Sequence, residues 1–320
     1  MTEFELIARY FSRRGAGAIV GNGDDCAVIA PSPDNAFAVT TDTLVEGRHF
    51  FPTIDPYKLG RRVVHVNLSD LAAMGANPRY ALLSLTLPQI DEAWIAKFSE
   101  GLWAALNQFG VELVGGNTTR GPLAIALTAM GDVPPGEALL RSGAKIGDEL
   151  WVSGSLGDAG WALYCMIGDI KAEANASQIA KYECPEARVA LGIALRRIAT
   201  SCIDISDGLL SEAAHLADAS GVTINIHFAA LPTNLGEPLA STEYAARARH
   251  CLLSTGDAYE LLFTAPVAQH AAVAELLRAQ GLSGACIGHA TASDSAAKVR
   301  VLDAQSRSMD IEIKGWDHFS

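Results

Sequence analysis

Two adjacent prolines followed by a glycine, in Val133-Pro-Pro-Gly-Glu137, interrupt the chain close to its middle. Proline has no N–H to give and fixes φ, so neither a helix interior nor a central strand passes through such a segment. At 320 residues the chain is longer than one average domain and too short for three. The break therefore predicts two domains, residues 1–138 and 139–320, each large enough to bury a core of its own.

Hydrophobic spacing fills in the halves. In the first, Phe4 to Phe11 reads as a short helix, and Cys26 to Ala30 and Phe37 to Thr41 as the strands of a hairpin. Helical spacing runs over 57–74 and, most clearly, from Asp91 to Phe109, with Ile95, Phe98, Leu102 and Leu106 on one stripe. Strands are expected at Ala81–Leu87, Val111–Val114 and Leu123–Met130. The second half predicts a strand at Glu149–Val152, helices near 158–168, 186–200 and 266–280 and at Leu209–Ser220, a short strand into Asp204, and strands near 222–228 and 259–264 before three late ones. Neither half alternates strictly between strand and helix, which favours α+β or mixed α/β over a Rossmann sheet.

Composition removes several classes of function. With 49% hydrophobic and 19% charged residues the chain is globular. Its formal net charge of -12 repels a phosphate backbone, so nucleic acid is not an expected partner. No apolar run reaches the roughly 18 residues of a membrane span, and the N-terminus has no signal-like apolar region, so a cytoplasmic location is expected. The six cysteines are scattered without zinc spacing and read as reduced thiols. A P-loop, H-E-x-x-H and G-x-S-x-G are all missing, and Gly21-Asn-Gly-Asp-Asp-Cys26 lacks the third glycine of a dinucleotide fingerprint.

What remains is aspartate beside small residues at predicted element ends: Asp24-Asp25 after Gly23, Asp42 in Thr40-Thr-Asp-Thr43, Asp70 in Asn67-Leu-Ser-Asp70, and Asp204 with Asp207 in Asp204-Ile-Ser-Asp-Gly208. Singly these serve as turns, strand ends, helix caps or a solvated helix face. Gathered in space, such carboxylates repel and raise one another's pKa unless hard cations neutralise them, and Mg²⁺ on oxygen ligands implies a polyphosphate. Gly115-Gly-Asn-Thr-Thr-Arg120, predicted as a turn after a strand, is a candidate anion nest, and Arg48-His49 and Arg141 add cationic groups.

Whole segments then line up with a known pattern: Gly23-Asp-Asp-Cys26, Thr41-Asp-Thr-Leu44, Val66-Asn-Leu-Ser-Asp-Leu-Ala-Ala-Met-Gly75, Gly115-Gly-Asn-Thr-Thr-Arg-Gly-Pro-Leu123, Asp204-Ile-Ser-Asp-Gly208, Tyr259-Glu-Leu261 and Lys314-Gly-Trp-Asp-His-Phe319. Through these the chain resembles the thiamine-monophosphate kinases of the aminoimidazole ribonucleotide synthetase superfamily. The resemblance implies a two-domain fold, an N-terminal α+β domain that binds ATP and metal and dimerises through its sheet, followed by a C-terminal α/β domain. It also implies ATP-dependent phosphorylation of thiamine monophosphate by direct in-line transfer in a homodimer. Donor and acceptor are both anions, so positioning and metal screening suffice and no protein nucleophile is expected.

Carried over by position, the resemblance implies Mg²⁺ ligands at Asp25, Thr40, Thr41, Asp42, Asp70, Asn117, Asp204 and Asp207, with Thr40 acting through its backbone. Nucleotide contacts fall at Gly116, Asn117, Arg141 and Ser206, and substrate contacts at His49, Asp257 and Trp316. The sequence departs from the family at three of its positions. Asn117 replaces an aspartate, and Asp257-Ala258 stands where the family carries Glu-Asp. Two other readings stay open: another ATP-using member of the superfamily, or a nucleotide-binding relative with weakened catalysis.

Overall fold

The structure, a computed structural model, describes residues 2–13, 15, 17–21, 26–294 and 297–311. The backbone forms two compact units, residues 1–71 with 76–136, and residues 72–75 with 137–320.

The first unit opens with α1 (Glu3–Leu6) and a π-helical turn at Ile7–Phe11. It continues through β1 (Ala36–Val45), α2 (Pro56–Ala73), β2 (Asn77–Leu87), α3 (Glu92–Phe109), β3 (Glu112–Arg120) and β4 (Ala124–Val133). The strands form one sheet in the order β1-β4-β2-β3, with β4 antiparallel to both its neighbours and β3 parallel to β2. Period-two alternation divides its faces. Leu44, Leu83, Leu85, Ile125 and Leu127 are buried, whereas Thr41, Thr43 and Ser84 are exposed. The clearest sequence signal becomes α3. Asp91 caps it by accepting from the N–H groups of Ala93 and Trp94, and Ile95, Phe98, Leu102 and Leu106 are buried along its stripe. Each such side chain contributes about 1.5–3 kcal/mol by leaving water.

Two strand expectations fail here. Cys26–Ala30 does not pair with Phe37–Thr41; Val28 instead bridges Val20, while all ten residues of β1 register with β4. The ten-residue ladder satisfies more backbone groups than a five-residue hairpin arm could. The glycines after Val114 do not turn the chain either. They lie within β3, which runs on to Arg120 beside β2.

The second unit contains β5 (Glu149–Val152), α4 (Asp158–Met166), α5 (Ala176–Glu183), α6 (Val189–Leu195), β6 (Ser201–Asp204), α7 (Leu209–Ser220), β7 (Val222–His227), α8 (Gly236–Ala240), α9 (Ala245–Ser254), β8 (Leu261–Ala265), α10 (His270–Ala279), β9 (Ala285–Ala292) and β10 (Val299–Leu302). Its sheet runs β10-β7-β9-β5-β8-β6. Leu209, Leu210, Ala213, Leu216 and Ala217 of α7 join Leu150, Ile203, Ile224, Leu262 and Ile287 of the strands in one core. Of the helix expected over 186–200 only Val189–Leu195 forms, and α5, α8 and α9 are helices beyond the sequence expectation. The signal for α5 was present: Asn175 accepts from the Gln178 N–H and the Gln178 side chain returns the bond, a capping box. Among the described residues no helix is long and apolar enough to cross a membrane.

Candidate active site

In the first unit the candidate acids lie where α2 meets β1. Thr40 and Asp42 alternate with Thr41 along β1, so their side chains share one face and that of Thr41 takes the other. The Thr40 hydroxyl donates to Asp70 Oδ2 at 2.5 Å, which ties the strand to the helix. Asn67, one helical turn before Asp70 and fully buried, accepts from the backbone N–H of Asp42 at 3.0 Å. Asp70 is thus no stray acid on a wet helix face; its carboxylate is held beside the strand that carries Asp42. The Thr41 hydroxyl bonds elsewhere, donating to the Leu127 carbonyl at 3.1 Å and accepting from Thr128 at 3.1 Å. Only its backbone is placed to join a group on the Asp42 side.

Asn117 and Gly116 occupy β3, at the other edge of the same sheet. Asn117 registers through Ser84 and Ala126 with Thr43, putting it on the face opposite Asp42 and three strands across, about 14 Å at the usual strand spacing. Within the unit it is therefore not gathered with Asp42 and Asp70. Gly116 has a sheet-level reason to be glycine: a Cβ there would lie 1.9 Å from the Leu83 carbonyl oxygen. Since these residues are strand, they form no turn of successive amides for an anion. His49 follows β1, and its Nδ1 accepts from the Val45 N–H at 3.0 Å. That bond fixes the neutral tautomer with its proton on Nε2, a donor suited to a phosphate oxygen.

The second unit brings its candidates together on two paired loops. Asp204 ends β6, buried at 6% exposure, and the chain from Ile205 to Asp207 runs beside 257–260. Tyr259 N–H donates to the Ile205 carbonyl at 2.8 Å, Ile205 N–H to the Glu260 carbonyl at 2.8 Å, and Asp257 N–H to the Ser206 carbonyl at 2.9 Å. Asp257 and Tyr259 hold positive φ, 64° and 49°, a conformation L side chains rarely adopt. Gly256 is required because a Cβ would sit 2.0 Å from the Ser206 carbonyl oxygen.

Two buried acids that the sequence reading passed over hold this pair of loops. Glu212, in the first turn of α7, accepts from the Asp207 N–H at 3.0 Å and the Ser206 hydroxyl at 3.4 Å. Burial pushes its carboxyl up to about 7, with the Asp207 charge adding to the rise and the Asp207 N–H and Arg141 opposing it. Glu260, with no exposure, accepts from Ser153 at 2.5 Å, Lys181 at 3.0 Å and Arg188 through both Nε at 2.7 Å and Nη2 at 2.5 Å. Burial alone would raise its carboxyl, but the Arg188 guanidinium and Lys181 outweigh it and hold it below the ordinary value. A glutamate four residues after Gly208 at a helix start was the available signal for Glu212. Glu260 sits within Tyr259-Glu-Leu261, to which the resemblance attaches no role for the glutamate. Arg141 is exposed, and its carbonyl accepts from Ser220 at 3.3 Å.

Asp25 and Trp316 lie outside the described residues. Among the described residues no three His, Cys, Asp or Glu side chains form one metal-holding group. What each unit offers is a pair, Asp42 with Asp70 and Asp204 with Asp207, accompanied by hydroxyl and carbonyl oxygens. That donor set, hard oxygens without thiolate or imidazole, fits Mg²⁺ and disfavours zinc. The six cysteines form no disulfide, and burial pushes the Cys251 thiol up to about 12.

The AIR synthase related protein N-terminal domain matches residues 23–133, and the C-terminal domain of the same family matches 145–300. The thiamine-monophosphate kinase of Escherichia coli (strain K12) is 42% identical over 324 residues, covering 99% of this chain and 98% of that protein. The crystal structure of thiamine-monophosphate kinase from Stenotrophomonas maltophilia K279a is 38% identical with a TM-score of 0.82, covering 96% of both chains. A structure described as "AaThiL complexed with AMPPCP and TMP" is 29% identical with a TM-score of 0.75, covering 91% of this chain and 89% of that one. With likeness running nearly end to end through both AIR synthase related domains, the chain belongs to the thiamine-monophosphate kinase family.

Proposed function

We propose that this chain transfers the γ-phosphoryl group of ATP to thiamine monophosphate, giving thiamine diphosphate. The observation that carries the reading is 42% identity across 99% of the chain to a thiamine-monophosphate kinase. A 29% identical structure in complex with AMPPCP and TMP supports the same pair of substrates. Asp25, Asp42, Asp70, Asp204 and Asp207, with backbone oxygens at Thr40 and Thr41, are the residues to hold magnesium, which would screen the phosphate charges as donor and acceptor approach. Asn117 belongs with Gly116, Arg141 and Ser206 as a nucleotide contact rather than with Asp42 and Asp70, given its strand and face. His49 Nε2–H, Asp257 and Trp316 serve the thiamine phosphate. The chain provides no nucleophile; its part is to orient two anions and keep the acceptor in line.

The enzyme acts in the cytoplasm as a homodimer. Support for the dimer comes from the outward face of the first unit's sheet, where Val39 is 62% exposed and Thr41, Thr43 and Ser84 are exposed beside it with no charged residue among them. A solvated face on a chain of net charge -12 would carry charge.

ADP release measured with and without thiamine monophosphate tests the reaction. Release that depends on the thiamine phosphate, stops in EDTA and returns with excess Mg²⁺ is the expected result. Release without the acceptor points to a different superfamily reaction, no release at all to a nucleotide-binding relative, and full activity in chelator removes the metal.

A further inference from the structure

Asn67 is a costly choice for its place in α2. Asparagine is a poor helix former, and a fully buried amide must satisfy both its ends or lose stability. Here both ends are satisfied, in opposite directions. Nδ2 donates to the Val63 carbonyl at 2.9 Å, one turn back in the helix, and this fixes which way the amide faces. Oδ1 then accepts from the backbone N–H of Asp42 at 3.0 Å. Among the described strands β1 pairs with β4 alone, and the Asp42 N–H is directed to the helix. One turn further along α2, Asp70 takes the Thr40 hydroxyl at 2.5 Å. Residues 67 and 70 of the helix thus grip residues 42 and 40 of the strand, and the grip spans Asp42 and Asp70.

We infer that Asn67 is a positioning residue for Asp42: its amide clamps the backbone that presents the Asp42 carboxylate, and so sets how well the first unit binds Mg²⁺. The inference rests on the reading of Asp42 as a magnesium ligand. A clamp that only fastened helix to strand could be replaced by apolar packing. A clamp that sets a carboxylate's position within a few tenths of an ångström could not, since Mg²⁺ demands close to octahedral geometry.

The test uses the full chain, with binding of AMPPCP followed by calorimetry across a Mg²⁺ titration, and melting temperature recorded alongside. Asn67→Ala removes both bonds. Asn67→Ser keeps a hydroxyl able to bond back to the Val63 carbonyl but cannot reach Asp42. Both variants are expected to raise the half-saturating Mg²⁺ concentration at least tenfold, whatever their melting temperatures. Asp42→Asn, in the same assay, checks the reading beneath. If Asp42→Asn leaves the titration unmoved, the metal assignment fails first. If Asp42→Asn shifts it and either folded Asn67 variant does not, or if both Asn67 variants lose the fold, Asn67 holds the structure only and the inference is overturned.

Discussion

Glu212 illustrates how much one buried carboxyl can do for its neighbours. It gives up hydration to accept the Asp207 N–H and the Ser206 hydroxyl, and burial leaves it titrating at about 7 against an ordinary 4.5. With the folded value raised, the folded chain binds the extra proton between those two pH values. The stabilisation is whole below about 4.5 and is lost as pH climbs to about 7. Glu212→Gln keeps an acceptor for the Asp207 N–H but cannot ionise. In EDTA the wild type should therefore lose stability relative to this variant between pH 4.5 and 8, by an amount on the order of 3 kcal/mol. Urea unfolding of both proteins at the two pH values measures it, and parallel profiles would show that Glu212 stays ionised throughout.

At the scale of elements, a predicted turn became β3 and an unread helix, α5, became an anchor. Lys181 of α5 and Arg188 before α6 converge on Glu260 at the start of β8, beside the loop that carries Asp257. The acid is wholly buried while Arg188 keeps 12% and Lys181 31% of its side-chain exposure. The two directions of mutation should differ for that reason. Arg188→Ala leaves the buried carboxylate with Lys181 as its one remaining cation among those named and should cost about 3 kcal/mol, whereas Glu260→Gln leaves cations that can still reach water and should cost less. Melting curves of the two variants decide it, and equal losses would refute the asymmetry. For β3 the expectation is that Asn117→Asp leaves the Mg²⁺ requirement for ADP release unchanged, because the sheet separates residue 117 from Asp42. A tenfold fall in that requirement would put the residue back among the ligands. The sequence made α3, α7 and most strands readable because their stripes and caps are local. It could not reveal that Gly116 serves the approach of Leu83, that Asn67 reaches an edge strand, or that Glu260 meets Lys181 and Arg188, 79 and 72 residues away in sequence, since each depends on a partner distant along the chain.

For the whole molecule, the open side of the first sheet raises the question of what covers it. Tyr80, Val114 and Met130 at one end are packed by Ala18, Ala27 and Ile29, but this cover stops short of Thr41, Thr43 and Ser84. Flat, uncharged strand surface rich in threonine and alanine is poorly suited to permanent contact with water and well suited to another sheet face, where β-branched and small side chains interdigitate. A second copy of the chain offers a face of identical shape, and a two-fold pairing closes without leaving a further edge for aggregation. Sedimentation of the wild type should accordingly give twice the 33.7 kDa chain mass. Ala126→Arg places a long cation at a half-buried position of that face, beside Thr43 and Ser84. On an isolated face the guanidinium extends into water at little cost, whereas in a pair it faces its own copy or an apolar neighbour. The variant should sediment as a single chain with its melting temperature lowered by loss of the partner rather than by loss of the fold. A wild type that sediments at one chain mass, or an Ala126→Arg protein that remains double, would assign this face to something other than a second copy.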